Sequence, residues 1–206
     1  MRDLVQNIVL EDLILDGGDF FHDGNVTVKG KVLVKNGDIT VSGDLTILGR
    51  SVITNGRLQV SKRLSFDECC SITNGSISCA TLFSSHRIEA VHSDISVDFN
   101  MFLTQDIVSS GDISVGKDIY CQNVSCRNFL IGEDNESKYI IASEDIYVLG
   151  NSYSLGVSAK EIFINGDCSL NRCTLLANHA EIGCKLIDKS LLVCDDYSIY
   201  DNDRII

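Results

Sequence analysis

The chain of 206 residues contains no proline and no tryptophan. It also lacks any apolar run that approaches the roughly 18 residues needed to span a membrane. Because neither proline nor a Ser/Gly-rich stretch marks a linker, we expect a single domain over residues 1–206. The opening segment MRDLVQNIVLEDL carries acids where a signal peptide needs a basic region, so we expect a cytoplasmic protein without a membrane span.

Basic residues are scarce. Aspartate and glutamate number 29 against 17 lysines and arginines, which gives a formal net charge of −12. Phosphate binding needs clustered lysine and arginine, so nucleic acids and anionic membranes are not expected partners. The charge favours solubility, and it leaves a basic protein partner open.

Cysteine, by contrast, is plentiful. The nine residues are Cys69, Cys70, Cys79, Cys121, Cys126, Cys168, Cys173, Cys184 and Cys194. Most lie in apolar, strand-like contexts, where cysteine packs as a small hydrophobe. The Cys-x4-Cys pairs at 121–126 and 168–173 lack the shorter spacing and the histidine pair of zinc sites. We therefore expect core cysteines, a reducing compartment and no metal.

A repeat of about nineteen residues organises the chain. Asn-Gly occurs at 36–37, 55–56 and 74–75, and apolar residues alternate between these turns with steps of five to seven residues. The apolar residues form three columns: Leu13, Val32, Val52, Ile72, Ile88, Ile107, Val124; then Ile39, Leu58, Ile77, Ile95, Ile113, Phe129; and Val26, Leu45, Leu64, Leu82, Phe102, Ile119. A fixed period of this size indicates a repeat architecture.

These columns predict an all-β fold. Alternation with period two indicates strands with one buried face. Three short strands and three corners make one coil of about nineteen residues, and a flat sheet or sandwich would need no constant coil length. We therefore predict a triangular, single-stranded parallel β-solenoid of about ten coils. In such a solenoid Arg57 stacks over Asp38 and Arg63 over Asp44, with opposite charges meeting at two corners.

The repeat weakens in two places. The polar stretch 132–138 predicts a loop that protrudes from a corner, and the pattern is irregular around His86 and His92. The free ends of a solenoid are sheet edges that must be capped or paired. Residues 1–12 are the candidate N-terminal cap, and the acidic residues 195–206 are the candidate C-terminal cap or tail.

The corner motif Gly-Asp-Ile/Leu resembles that of the bactofilin family. It occurs as NGDITV at 36–41, SGDLTI at 42–47 and SGDISV at 110–115, with GKDIYC at 116–121 as a looser copy, and the resemblance covers about residues 24–131. It implies a right-handed triangular β-helix that polymerises end to end, without nucleotide, into a cytoskeletal scaffold. The absence of proline, the cysteine content and the irregular second half depart from the family pattern.

Three functions are compatible with these features. The first is a non-enzymatic structural rod that self-associates through its ends. The second is an acidic binding module that masks a basic partner, in the manner of an inhibitor or immunity protein. The third is a hexapeptide-type acyltransferase, which would need a histidine base from among His22, His86, His92 and His179. Sugar hydrolysis would use Asp94, Asp106, Asp112 or Asp118, but corner aspartates more often bind turn backbone. We assign no catalytic, cofactor or metal residue.

Overall fold

The structure, a computed structural model, describes residues 6–149, 152–154, 156–164, 174–182 and 191–199. Within these ranges the chain forms strands and turns, with no helix long and apolar enough to cross a membrane. The strands are β1 (Gln6–Leu10), β2 (Leu13–Asp16), β3 (Phe20–His22), β4 (Gly24–Val28), β5 (Val32–Lys35), β6 (Ile39–Val41), β7 (Leu45–Ile47), β8 (Ser51–Thr54), β9 (Arg57–Phe66), β10 (Cys70–Thr73), β11 (Ser76–Ser84), β12 (Ile88–Val91), β13 (Asp94–Val97), β14 (Met101–Leu103), β15 (Ile107–Ser109), β16 (Ile113–Val115), β17 (Ile119–Cys126), β18 (Phe129–Ile131), β19 (Asn135–Ala142), β20 (Asp145–Val148), β21 (Gly156–Ser158), β22 (Glu161–Ile164), β23 (Thr174–Ile182) and β24 (Leu191–Ile199).

Each strand pairs in parallel with its equivalent one coil later, which confirms the predicted β-solenoid. The first face begins with β2, β5 and β8, the second with β3, β6 and β9, and the third with β1, β4 and β7. Long strands such as β9 and β17 continue around a corner from one face to the next. Parallel stacking of this kind makes burial a nearest-neighbour property, as in other repeat proteins.

The coils shorten along the chain. On the first face, Leu13, Val32, Ser51 and Cys70 stack at intervals of nineteen residues, as predicted. Beyond Cys70 the interval varies from sixteen to nineteen, and the mean is about 18 residues per turn over about nine turns. The corners absorb these differences, because the strands must keep their register to bury the same face.

The core is a continuous column of alternating inward side chains, mostly β-branched or leucine. Most residues of the predicted columns are buried, but three assignments are wrong. Ile72 is buried but stacks between Ile53 and Ala90, so that Cys70 takes its predicted place beside Ile88. Val52 and Phe102 face outward, while Ser51 and Ile53 on one strand, and Met101 and Leu103 on the other, face the core. Each of these strands carries apolar residues on both its inner and its outer face. The alternation of apolar residues therefore does not show which face is buried.

The predicted protruding loop at 132–138 is also wrong, because its second half is part of β19. Asn135 and Ser137 point into the core and are almost fully buried. Asn135 Nδ2 donates to Ser152 Oγ at 3.0 Å and to Ser154 Oγ at 2.7 Å, and its Oδ1 accepts from Ser137 Oγ at 2.6 Å. The polar sequence of this segment predicts a loop. The residues can be buried because they have hydrogen-bond partners about one coil away, and those partners cannot be recognised from the local sequence.

Ser51 offers a test of this core through a gain in stability. Its hydroxyl is fully buried between Val32 and Cys70 and has no hydrogen-bond partner among the described residues. Because an unsatisfied buried hydroxyl is unfavourable, Ser51→Ala is expected to raise the free energy of unfolding by about 1 kcal/mol. Urea denaturation followed by circular dichroism would measure the change.

Ser109 is the matched control on the same face. Its hydroxyl donates to Ser93 O at 2.7 Å and accepts from Gly111 N at 3.0 Å. Ser109→Ala is therefore expected to lower the free energy of unfolding by about 1–2 kcal/mol. Equal losses in the two variants would contradict the assignment of Ser51 as an unpaired group.

Candidate functional site

The aspartates of the Gly-Asp corners bind the main chain of the next coil. Asp38 Oδ1 accepts the N–H of Arg57 at 2.7 Å, and Asp44 Oδ1 accepts the N–H of Arg63 at 3.1 Å. The predicted stacking of these pairs is therefore confirmed. The predicted contact between opposite charges is wrong, because no ion pair joins either couple among the described residues. The Arg63 guanidinium lies 5.1 Å from the centre of the Phe83 ring instead.

The four aspartates considered for sugar chemistry also serve the fold. Asp94 and Asp112 share one corner, and Asp94 Oδ1 accepts the N–H of Asp112 at 2.8 Å. Asp106 and Asp118 lie at the other two corners and accept from an asparagine amide and a main-chain amide. The bidentate hydrogen bonds from Arg127 are the main cause of a lowered pKa for Asp112. These carboxylates hold coils together and are not grouped around a cleft.

The four histidines lie apart. His86 and His92 occupy successive corners, and of the two only His92 is exposed. His86 is partly buried, and its Nδ1 has no hydrogen-bond partner in the described part of the chain. His22 lies on the first coil, where its Nε2 is 2.9 Å from Gln6 O. His179 lies between two carboxylates, 3.4 Å from Glu181 and 3.5 Å from Asp196.

Four cysteines are core residues, as predicted. Cys70, Cys79, Cys121 and Cys126 are buried, and burial raises the pKa of each thiol to about 12. Cys69 is exposed and Cys194 half-buried. The other three, at 168, 173 and 184, lie outside the described residues. Within the described ranges, no group of three or more His, Cys, Asp or Glu side chains could hold a metal ion.

An aromatic stack on the third face was missed by the sequence reasoning. The rings of Phe83, Phe102 and Tyr120 stack with centroids 5.0 and 5.1 Å apart, and Arg63 covers the free face of Phe83. The steps of nineteen and eighteen residues between these aromatics follow the coil period and could have revealed the stack. Because the rings and Arg63 cover one another, both faces of Phe83 and of Phe102 are occupied and are not open to a sugar or base.

The first coil has sheet edges that no described residue pairs. β1, β2 and β3 each pair with a single strand, namely β4, β5 and β6. Residues 6–12 are the described part of the predicted N-terminal cap. They include β1, which pairs in parallel with β4 as the other strands of the solenoid do. The inward Ile8, Leu10, Leu15 and Phe20 pack on the core but are only partly buried. An open edge with partly exposed apolar side chains is a template for another chain.

The outer surface of the same coil is apolar on its faces and acidic at its corners. Val9, Ile14 and Phe21, one on each face, are 60%, 59% and 70% exposed. Residues 6–23 hold five acids and no lysine or arginine, whereas residues 24–66 hold seven lysines and arginines and two acids. The acids of this chain are therefore unevenly distributed along the rod.

At the other end, β24 pairs with β23. Asp195 and Asp196, from the predicted acidic cap or tail, lie on this strand with exposed side chains. Asp201 and Asp203 are outside the described residues. The two ends of the described solenoid therefore both carry negative charge.

Comparisons with known proteins found no protein-family model, no curated protein and no solved structure that matches this chain, so the resemblance to bactofilins is carried by the Gly-Asp corners and the β-helical architecture alone.

Proposed function

We propose that the protein is a non-enzymatic structural rod that associates end to end through its first coil. The observation that carries this proposal is the open edge of β1, β2 and β3, which is lined by the partly buried Ile8 and Leu10. A second copy would satisfy the main-chain groups of this edge and cover its apolar residues, as in other cases of strand addition. The use of the corner carboxylates within the fold supports a role without catalysis.

The setting proposed for this rod is the reducing cytoplasm. Cys70, Cys79, Cys121 and Cys126 are free and buried. Free thiols in such number suit a compartment that does not form disulfides.

Charge makes the proposed association dependent on salt. Both ends are acidic, so like charges oppose their approach at low ionic strength. Salt screens exposed charges over a Debye length of about 10 Å at 0.1 M. We therefore expect light scattering and sedimentation velocity to show larger species as salt increases, and negative-stain microscopy to show rods longer than one molecule.

Ile8→Glu tests whether the first coil makes the contact. A carboxylate on this edge would leave a charge buried in the junction, so the variant is expected to remain a monomer at every salt concentration. Thr27→Glu, on the outer side of the neighbouring β4, adds the same charge away from the edge and should associate as the unmodified protein does. If the unmodified protein remains a monodisperse monomer at every salt concentration, the proposal is wrong.

A second function is favoured by the five acids of the first coil. This end would then bind a basic protein segment by strand addition and complementary charge. The sign of the salt dependence separates the two functions. Binding of a basic peptide weakens as salt increases, whereas association of two acidic ends strengthens.

A further inference from the structure

A regular hydrogen bond marks the corner that precedes the second face. The side-chain oxygen of the corner residue accepts the main-chain N–H of its equivalent one coil later. Asp19 Oδ1 accepts from the N–H of Asp38 at 2.9 Å, and Asp38 Oδ1 accepts from the N–H of Arg57 at 2.7 Å. Asn128 Oδ1 accepts from the N–H of Asp145 at 3.1 Å. We call this set of hydrogen bonds the corner ladder. This corner ladder has one direction, because the acceptor lies in the earlier coil and the donor in the later coil. It is interrupted at Arg57, whose side chain has no acceptor for the paired Ser76.

Asp196 occupies the same place in β24. The pairing of the last strands aligns Glu161, His179 and Asp196 at the position that precedes the inward residue of the second face. The Asp196 side chain is 79% exposed, and its Oδ2 lies 3.5 Å from His179 Nδ1. No N–H of a described residue meets its Oδ1, so the last described strand holds an available acceptor at the same corner.

The first coil presents the complementary group. The N–H of Asp19 has no acceptor among the described residues, although the equivalent N–H of Asp38 and of Arg57 each has one. Asp19 uses its own carboxylate for the second coil. One end of the described solenoid thus lacks an acceptor at this corner, and the other end lacks a donor.

We infer that, in the end-to-end association proposed above, Asp196 of one copy accepts the N–H of Asp19 of the next copy. The junction then repeats, between two copies joined head to tail, the same hydrogen bond that joins Asp19 to Asp38 within the chain. The inference rests on the proposed function and adds the polarity of the assembly. A head-to-head junction would bring two unpaired N–H donors together at this corner and satisfy neither.

The chain itself shows that like charges tolerate this arrangement. Asp19 stacks beneath Asp38, and Asp94 beneath Asp112, with the lower carboxylate in each pair bound to the upper N–H. A hydrogen bond to the charged form stabilises a carboxylate. Asp196 beneath Asp19 would repeat this geometry.

The test compares Asp196→Ala with Asp196→Asn in the full chain. In high salt, where charge effects are screened, Asp196→Ala is expected to weaken association about tenfold, which is typical of losing one hydrogen bond to a charged group. Asp196→Asn keeps an acceptor, as Asn128 does in the native corner ladder, and should associate nearly as well as the unmodified protein. At low salt it should associate more strongly, because it removes a repelling charge.

Two controls isolate the junction. Asp195→Ala removes the same charge from the neighbouring residue and should not weaken association. His179→Gln removes the contact between Asp196 and His179 and should likewise leave association intact. If Asp196→Ala and Asp195→Ala behave alike while the unmodified protein still associates, the junction assignment is overturned and the proposed function stands. If the unmodified protein does not associate at any salt, the proposed function itself fails.

Discussion

Gly56→Ala is expected to lower the free energy of unfolding by about 3 kcal/mol or more. A methyl group at this position would lie 2.1 Å from the carbonyl oxygen of Gly37, far inside van der Waals contact. The obstructing atom belongs to the main chain, so no side chain can rotate away. Gly75 has the same constraint against the carbonyl of Gly56, at 2.0 Å. Relief therefore requires the coils to separate, which breaks the strand pairing on both sides of the corner.

Urea denaturation would measure this loss, with Gly17→Asn as the control. Gly17 stacks beneath Asn36, has φ +77° and has no atom within 4 Å of an added Cβ. Asparagine tolerates this conformation, and Asn36, Asn55 and Asn74 adopt it at the same corner with φ of 52–54°. The side-chain amides of these asparagines are joined in a ladder: Asn55 Nδ2 donates to Asn36 Oδ1 at 2.8 Å, and Asn74 Nδ2 donates to Asn55 Oδ1 at 3.1 Å. The new side chain would extend this ladder, so stability should be unchanged or slightly higher. A similar loss in both variants would show that the close coil contact is not the cause.

Raising the pH from 9 to 11 is expected to destabilise the fold steeply. Burial raises the pKa of Cys70, Cys79, Cys121 and Cys126 to about 12, from 9.0 in the unfolded chain. Below pH 9 these thiols are protonated in both states and the stability is fully present. Between pH 9 and 12 only the unfolded chain releases their protons, so each thiol removes about 1.4 kcal/mol per pH unit. Four thiols remove about 5 kcal/mol per unit, which is comparable to the whole stability of an ordinary domain.

Urea unfolding at several pH values between 8 and 10.5 would give the slope. Cys79→Ala and Cys126→Ala should each lower stability at pH 8 but reduce the alkaline slope by about 1.4 kcal/mol per pH unit. Tyrosines and lysines titrate alike in all variants, so their contributions cancel in this comparison. Ser78→Ala, on the outer side of β11 beside Cys79, removes no titratable group; it is the control and should leave the slope unchanged. Identical slopes in all variants would contradict the burial of these thiols.

The strands and most of the core could be predicted because apolar residues recur at equivalent positions in successive coils. Ile39, Leu58 and Ile77 stand at one period and stack in the structure as expected. The wrong predictions of burial concern residue types that can lie either in the core or on the outer surface. Phe102 is apolar but joins an external stack, and Asn135 is polar but lies in the core.

The candidate site was less predictable than the fold. The acidic ends are visible in the sequence, but the open edge of β1, β2 and β3 is a property of pairing. The aspartates at the corners were expected to meet arginine side chains, yet Asp38 and Asp44 bind main-chain amides. A carboxylate prefers the nearer and fixed N–H when a flexible arginine side chain can remain in water.

The sequence alone determined the approximate coil period, the three-sided parallel solenoid and the burial of Cys70, Cys79, Cys121 and Cys126 in its apolar strands. These follow from spacing, because alternation selects the buried face and a constant period selects stacking. The tertiary structure decided which partners the polar groups have. It joined Asn135 to Ser152 and Ser154, and it left Ser51 and the Asp19 N–H without partners in the described chain. A hydrogen bond depends on distances of a few tenths of an ångström between residues that lie a coil apart, and residue spacing does not specify those distances.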